Sequence, residues 1–426
     1  MKTYITHCRG GKRAAIISDA ALRVNALQAI AMVSDYKVLF YSPTNLHNAY
    51  KHMVANPPEN FRYIEQEYMA TPLTRASGKG RLKNLLEKVR WAISPHYNYF
   101  LVATGNPKIR KFYSNDYDLI HSTQSPLETN LPYVMDFEHA TVLAGYNQIA
   151  FSNQRFVRNL KNILENDKLK KLTPWSKAAK FSLLNFLSSR EIEEKIEVVY
   201  PVITPPDKIP EKNGKREGDR ISILFVGGNF YEKGGLETLM AFDKISAKYD
   251  AHLTMVSGVP DAIKARFAKN PKITITARLP YPEVQKLYNQ SHFFLMPTHM
   301  DTFAYVIIEA LSYGLPVVTD DSFSRPELVE NEKSGLVVKS YYSCFGPRGE
   351  YIYPTNSELY RKRKLACMNP PDWYVNELAK AMERLILDSR LRKLCSKNAR
   401  LECTQGKFSP KTWKEKMGRI YREAIS

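Results

Sequence analysis

The chain has 426 residues and a mass of 49.0 kDa, too long for one ordinary core and right for two domains of about 200 residues each. With 44% hydrophobic and 25% charged residues and no apolar run of about 18, it reads as a globular protein with no membrane-spanning helix. The net charge of +19 is shared almost evenly by the two halves, which argues against a basic nucleic-acid tail and for a surface drawn to something anionic.

The opening residues lack the apolar core of a signal peptide, so a cytoplasmic location is the expectation. The five cysteines (Cys8, Cys344, Cys367, Cys395 and Cys403) include no C-x-x-C pair. They read as free thiols rather than a disulfide framework or a zinc site.

In chain order, residues 14–18 and 37–41 read as short buried strands around a helix at 19–34, with Leu22, Ala26, Ile30 and Val33 at helical spacing. A strand at 2–7, ahead of Gly10 and Gly11, is the alternative first strand. Residues 75–93 form a basic amphipathic stretch, a pattern suited to an ordinary domain helix or to peripheral contact with an anionic membrane. Residues 118–121 and 133–137 look like parallel strands, 172–176 leads into a helix, and 196–200 is a further strand. Residues 202–220, rich in Pro, Lys, Glu and Gly, read as a linker and place a domain boundary near 205.

Beyond the linker the alternation is cleaner. Strands are expected at 221–226, 252–256, 273–276, 292–296 and 316–319, and helices at 235–249, 260–267, 282–290 and 304–313. Such alternation implies an α/β fold of two doubly wound, Rossmann-like parallel sheets facing across a cleft, with ligands at the carboxyl ends of the strands. Residues 341–372, rich in Tyr and Pro, read as a long loop or insertion near that cleft.

The informative block runs from His292 to Val338. A buried strand ends at Pro297, a polar loop carries Asp301, and a helix opens near Ala304, with Glu309 eight positions after Asp301. The helix closes at Gly314 with Pro316 two residues on. A helix N-terminus at the carboxyl edge of a parallel sheet is an anion site, because its free N–H groups and dipole favour phosphate. In a second motif, residues 221–235, a strand runs into Gly227 and Gly228 and then Lys233, which can reach a phosphate as a point charge.

These two motifs resemble the donor site of the retaining glycosyltransferases with two Rossmann-like domains (the GT-B fold), in particular family 4, also described as glycosyl transferases group 1. The resemblance is carried by Pro297-Thr298, Asp301 and Glu309-Ala310, by Gly314-Leu-Pro-Val317, Glu327 and Gly335-Leu-Val337, and by Lys233. It implies that Asp301 lies beside the transferred sugar, that Glu309 hydrogen-bonds the ribose hydroxyls, that backbone N–H groups of Phe303, Ala304, Tyr305 and Val306 meet the diphosphate, and that Thr302 also lies along the donor. Asp301 stands where the family has Glu, Ala304 where Gly is common, and Gly228 where Arg is usual.

The resemblance also places Gly227, Gly228, Ser257 and Leu279 along the donor and Lys233 at the leaving diphosphate. A polar residue after strand 133–137, Glu138 or His139, falls near the reacting sugar; His121 is a second candidate on the acceptor side. It implies a domain of residues 1–204 facing the acceptor, a donor-binding domain of residues 205–407, and a closing helix at 408–426 that returns to the first domain. The implied reaction is metal-independent transfer, with retention, from a UDP- or GDP-linked sugar as substrate to a glycan or lipid-linked acceptor. No cofactor and no nucleic-acid partner is expected. A nucleotide-sugar-binding protein without turnover, or a nucleotide-sugar epimerase, are the rival expectations.

Overall fold

The computed structural model describes residues 35–42, 48–65, 104–209, 220–352 and 356–426. The expected strands at 2–7 and 14–18, the helix at 19–34 and the basic stretch at 75–93 lie outside these residues. Among the described residues, no helix is long and apolar enough to cross a membrane.

The first half builds β1 (Tyr36–Tyr41), α1 (Asn48–Val54), β2 (Phe61–Glu65), the short β3 (Arg110–Lys111), β4 (Leu119–Thr123), β5 (Leu127–Glu128), β6 (Tyr133–Phe137), α2 (Gln154–Glu165), β7 (Leu169–Pro174), α3 (Lys177–Phe186) and α4 (Arg190–Lys195). Five of its strands form a parallel sheet in the order β2-β1-β4-β6-β7. β4 and β6 are buried at every position, as expected of strands covered on both faces. Both edges of β1 are occupied, by β2 and β4.

The second half follows with β8 (Ile221–Val226), α5 (Gly235–Ser246), β9 (Ala251–Val256), α6 (Asp261–Phe267), β10 (Ile273–Thr276), α7 (Tyr281–Gln290), β11 (Phe293–Met296), α8 (Tyr305–Ser312), β12 (Val317–Asp320), α9 (Arg325–Leu328), β13 (Gly335–Val338), α10 (Asn356–Cys367), α11 (Asp372–Leu387), α12 (Ser389–Thr404) and α13 (Pro410–Ile425). Its six strands are all parallel, in the order β10-β9-β8-β11-β12-β13. β8 lies near the middle, so the β8–α5 and β11–α8 turns emerge side by side at one sheet edge. That adjacency creates the site.

Two sequence expectations are corrected. Residues 196–200 form no strand: Ile196 makes a single bridge to Leu172, and beyond it only the Glu197 and Val199 N–H groups reach β7, at the Leu172 and Pro174 carbonyls. The described residues of 341–372, namely 341–352 and 356–372, are not one long loop. Cys344, Phe345 and Tyr351 build a small core of their own, and α10 follows it. Cys344, Cys367, Cys395 and Cys403 are buried free thiols.

The halves are joined at several points. α13 returns to the first sheet, where Tyr421 Oη meets His121 Nδ1 at 2.6 Å and Tyr63 Oη at 2.8 Å, and Trp413 Nε1 donates to the Asn56 carbonyl at 3.1 Å. From the second half, Glu327 accepts from the backbone N–H groups of Lys177 and Ala178 at 2.7 and 2.9 Å. It thereby satisfies first-turn donors of α3 that have no partner within that helix. One hydrophobic core runs through Phe40, Trp175, Phe303, Tyr305, Trp413 and Tyr421 and draws on both sheets.

Candidate functional site

A cavity of about 300 Å³ lies between the sheets where β8, β11 and α8 meet β6 and α1. Lys233 is held at its edge by the turn after β8. The neighbouring Gly234 adopts φ +77, and a Cβ there would fall 2.2 Å from the Pro297 carbonyl oxygen. Only glycine permits that approach. Across the cavity the Lys233 ammonium donates to Asp301 Oδ2 at 2.5 Å, and Thr298 Oγ1 donates to the same oxygen at 3.1 Å.

Helix α8 opens into this space without a side-chain cap and without an acidic residue in its first turn. Its N-cap is Ala304, so neither Asp301 nor Thr302 serves as one. The two peptides before it are turned by a neighbouring loop. Arg325 Nη1 donates to the Asp301 carbonyl, and Ser324 Oγ donates to the Thr302 carbonyl at 2.7 Å. In a trans peptide N–H and C=O point in opposite directions. Drawing both carbonyls toward residues 324–325 therefore directs the Thr302 and Phe303 N–H groups away from that loop. The result suits an anion: an uncapped helix end, an ammonium and oriented amides.

Ala304 itself has φ +57 and ψ +58, a left-handed conformation in which Cβ crowds the following carbonyl. Ala304→Gly is expected to raise stability by up to about 1 kcal/mol. The check is a denaturant midpoint that rises at constant slope; a lower midpoint would mean that the alanine methyl packs well enough to offset its strain.

Glu309, buried on α8, accepts from Asn48 Nδ2 at 3.0 Å and Tyr288 Oη at 3.3 Å. Burial pushes its carboxyl above the usual range, against the pull of those hydrogen bonds. Glu138 accepts from Thr302 Oγ1 at 2.8 Å and Tyr146 Oη at 3.3 Å. Burial raises its carboxyl too, and nearby Asp301 adds to the rise.

The expected residues Gly227, Gly228, Lys233, Asp301, Thr302, Phe303, Ala304, Tyr305, Val306, Glu309 and Glu138 all line this cavity. Three others lie elsewhere. Ser257 and Leu279 do not line it; Ser257 is buried after β9, and Leu279 packs against the shared core. His139 is fully buried, its Nε2 donating to the Gly349 carbonyl at 2.6 Å and its Nδ1 accepting from Thr141 N at 3.1 Å. Burial pushes it down to about 4, so it is a neutral structural tie between the halves. His121 is also buried, between Asp136 and Tyr421. Of the two residues weighed after β6, only Glu138 reaches the cavity.

Four contributors were not evident from the sequence. Asn48 meets Glu309 from 261 residues away. Trp175 lines the cavity edge-on to Phe303, with ring centroids 5.7 Å apart, and its buried Nε1 finds no hydrogen-bond partner among the described residues. Ser324 and Arg325 act from behind the cavity wall. The local signal for that pair was a lone arginine in the turn after β12, close to the acidic Asp320 and Asp321. Among the described residues no cluster of three or more His, Cys, Asp or Glu could hold a metal ion.

Residues 220–342 match the protein family described as Glycosyl transferases group 1. The capsular polysaccharide biosynthesis glycosyltransferase CapM of Staphylococcus aureus is 24% identical over 254 residues, 58% of this chain and 56% of that protein. The chain spans about half the length of the curated relatives it matches. Among solved structures, a glycosyltransferase from Rickettsia africae superposes with a TM-score of 0.56 at 18% identity, covering 92% of this chain and 99% of that one. Anabaena HepE, in complex with UDP-glucose, gives 0.55 at 15% identity, covering 91% and 99%. These likenesses show the fold.

Proposed function

We propose, from the premise that this chain belongs through residues 220–342 to the glycosyl transferases group 1 family and has the GT-B fold, that it moves a glycosyl unit from a nucleoside diphosphate sugar to an acceptor hydroxyl with retention. The observation that carries this reading is the meeting of Lys233, Asp301 and the uncapped start of α8 in one cavity. In this reading residues 205–407 bind the donor, residues 1–204 face the acceptor, and the enzyme works in the cytoplasm on a glycan or lipid-linked acceptor.

The donor diphosphate lies against the N-terminus of α8 and the Thr302 and Phe303 amides, with Lys233 beside it. Glu309, which already accepts from Asn48 and Tyr288, takes the ribose hydroxyls on its remaining lone pairs. Lys233 pairs with Asp301; with the donor bound, its ammonium is shared with the leaving phosphate while Asp301 lies beside the sugar. Charge grows on the diphosphate as the glycosyl bond breaks, and fixed dipoles plus one ammonium stabilise that charge without reorganising. The leaving phosphate takes the acceptor proton, so no protein base is required. Glu138 faces the sugar from the first half of the chain.

Calorimetric titration with UDP and GDP, beside hydrolysis of their sugar conjugates, tests this. Glu309→Ala is expected to weaken the preferred nucleotide at least about 10-fold, the loss of a charged hydrogen bond. If neither nucleotide binds and neither conjugate turns over, the transferase reading fails. Binding without turnover would instead favour a nucleotide-sugar-binding protein.

A further inference from the structure

Beside the donor cavity lies a larger one of about 800 Å³, with walls from both halves of the chain. One wall is α3, which presents Ala178, Phe181 and Asn185 on successive turns. The other is the loop after β12 and the segment after β13, residues 321–323 and 339–349. Residues 343–349 lie past the stretch that matches the family.

The second wall is firmly built. Phe323 is held at φ +48, a conformation unfavourable for a bulky residue and kept only where the surroundings enforce it. Its ring stacks on Phe345 with centroids 4.2 Å apart, and Ser322 Oγ donates to Ser343 Oγ at 2.5 Å. At Gly349, φ is +78, and a Cβ would lie 3.3 Å from both the Phe323 ring and Ser182 Cβ. Glycine there lets the segment close against α3.

The chemistry of the lining is mixed. Phe181 is 62% exposed, an aromatic ring that joins no core. Around it stand Asn185, Asp321, Lys339, Ser340 and Ser343, offering donors and acceptors at the rim of an apolar platform. A sugar ring matches that arrangement: its C–H face lies on an aromatic ring while its hydroxyls, each donor and acceptor, meet the polar rim. Asp321 and Lys339 pair at 2.9 Å and Arg348 also lines the cavity, so the lining accommodates neutral sugars as well as acidic ones. The two cavities share a wall. Gly349 and Phe323 border this one and hold His139, by hydrogen bond and by ring contact at 5.5 Å, while the preceding Glu138 lines the other.

We infer that this second cavity seats the non-reacting part of the acceptor, an oligosaccharide stacked on Phe181, on the far side of the His139 wall from the donor sugar at Asp301. The inference rests on the transfer reading above. The acceptor oxygen bonds to the anomeric carbon, and the carbon–phosphate-oxygen bond breaks with its electron pair going to the nucleoside diphosphate, which takes the hydroxyl proton.

Saturation-transfer NMR with cellotriose, maltotriose and chitotriose tests the site on the whole chain. At least one is expected to bind, and Phe181→Ala and Asn185→Ala to weaken it about 10-fold or more, a loss worth roughly one hydrogen bond or stacked ring. UDP and GDP affinities should stay unchanged in both variants. Dodecyl maltoside beside maltotriose separates the two carriers of the sugar: tighter binding of the alkyl glycoside marks a lipid-linked acceptor, equal binding a free glycan. If none of the three binds the natural chain, or both variants bind as it does, the inference is overturned. Should the saccharide bind with these dependences while no nucleotide does, the saccharide site stands and the donor reading falls.

Discussion

Arg325→Met is expected to destabilise the protein by about 3–5 kcal/mol, the usual consequence of removing one partner from a buried ion pair. The guanidinium is fully buried, with Nε 3.4 Å from Asp320 Oδ1. Burial already raises the Asp320 carboxyl, and Arg325 is the foremost of the groups pulling it back down. Without Arg325 a carboxylate would face a nearly dry interior at the end of β12. The double variant Asp320→Asn with Arg325→Met should recover much of the lost stability, because no isolated charge remains.

It should not recover the site. Arg325 also holds the Asp301 carbonyl, and methionine has no donor to replace it. Equilibrium unfolding read beside nucleotide titration separates the two roles: a restored denaturant midpoint with nucleotide binding still weakened supports a positioning role. If the double variant binds nucleotide as the natural chain does, the grip on Asp301 has no bearing on the site.

The second large effect is expected at Lys233. Lys233→Ala should lower kcat/KM about 10²–10³-fold, the range seen when one preorganised donor to a developing negative charge is removed. The loss should fall chiefly on kcat, since the charge it meets grows in the transition state. Gly228 offers an internal control. No atom lies within 4 Å of a Cβ built there, and it lines the same cavity. A Cβ at 228 therefore meets no obstacle among the described residues, and Gly228→Arg in the Lys233→Ala background should recover part of the rate. A Lys233→Ala variant with kcat near that of the natural chain would remove Lys233 from the chemistry.

Much of the second half was legible from residues alone. The strand at Ile221–Val226 and that at Ile273–Thr276 fall where their apolar runs place them, as does Tyr133–Phe137 in the first half. Such strands are short apolar runs bounded by turn residues, and each boundary depends on a few consecutive side chains. The cluster from Lys233 to Glu309 was legible for a related reason: a glycine-bearing turn after β8 and a polar loop with a helix start after β11 lie at the carboxyl ends of strands that the parallel order makes neighbours.

Other features depended on distance through space. Nothing near Ile196 reveals that β7 receives only one bridge from it. His139 and Glu138 are adjacent, and a strand ending delivers such neighbours to different sides; only packing against Gly349 and Tyr351 decided that the histidine turns inward and the glutamate toward the cavity. The partners Asn48 and Glu309, and Lys177 and Glu327, come from opposite halves.

What the sequence by itself determined is therefore the local periodicity, the parallel α/β class and the two turns of the second half that line the cavity, because these follow from short-range sterics and burial. What only the tertiary structure decided is which polar groups are satisfied by one another, which remain to face the cavity, and how residues 341–352 close a second cavity beside it. Hydrogen-bond satisfaction is a property of the whole packed interior. A residue's own neighbours in the chain do not reveal which donor, some 260 positions away, will reach it.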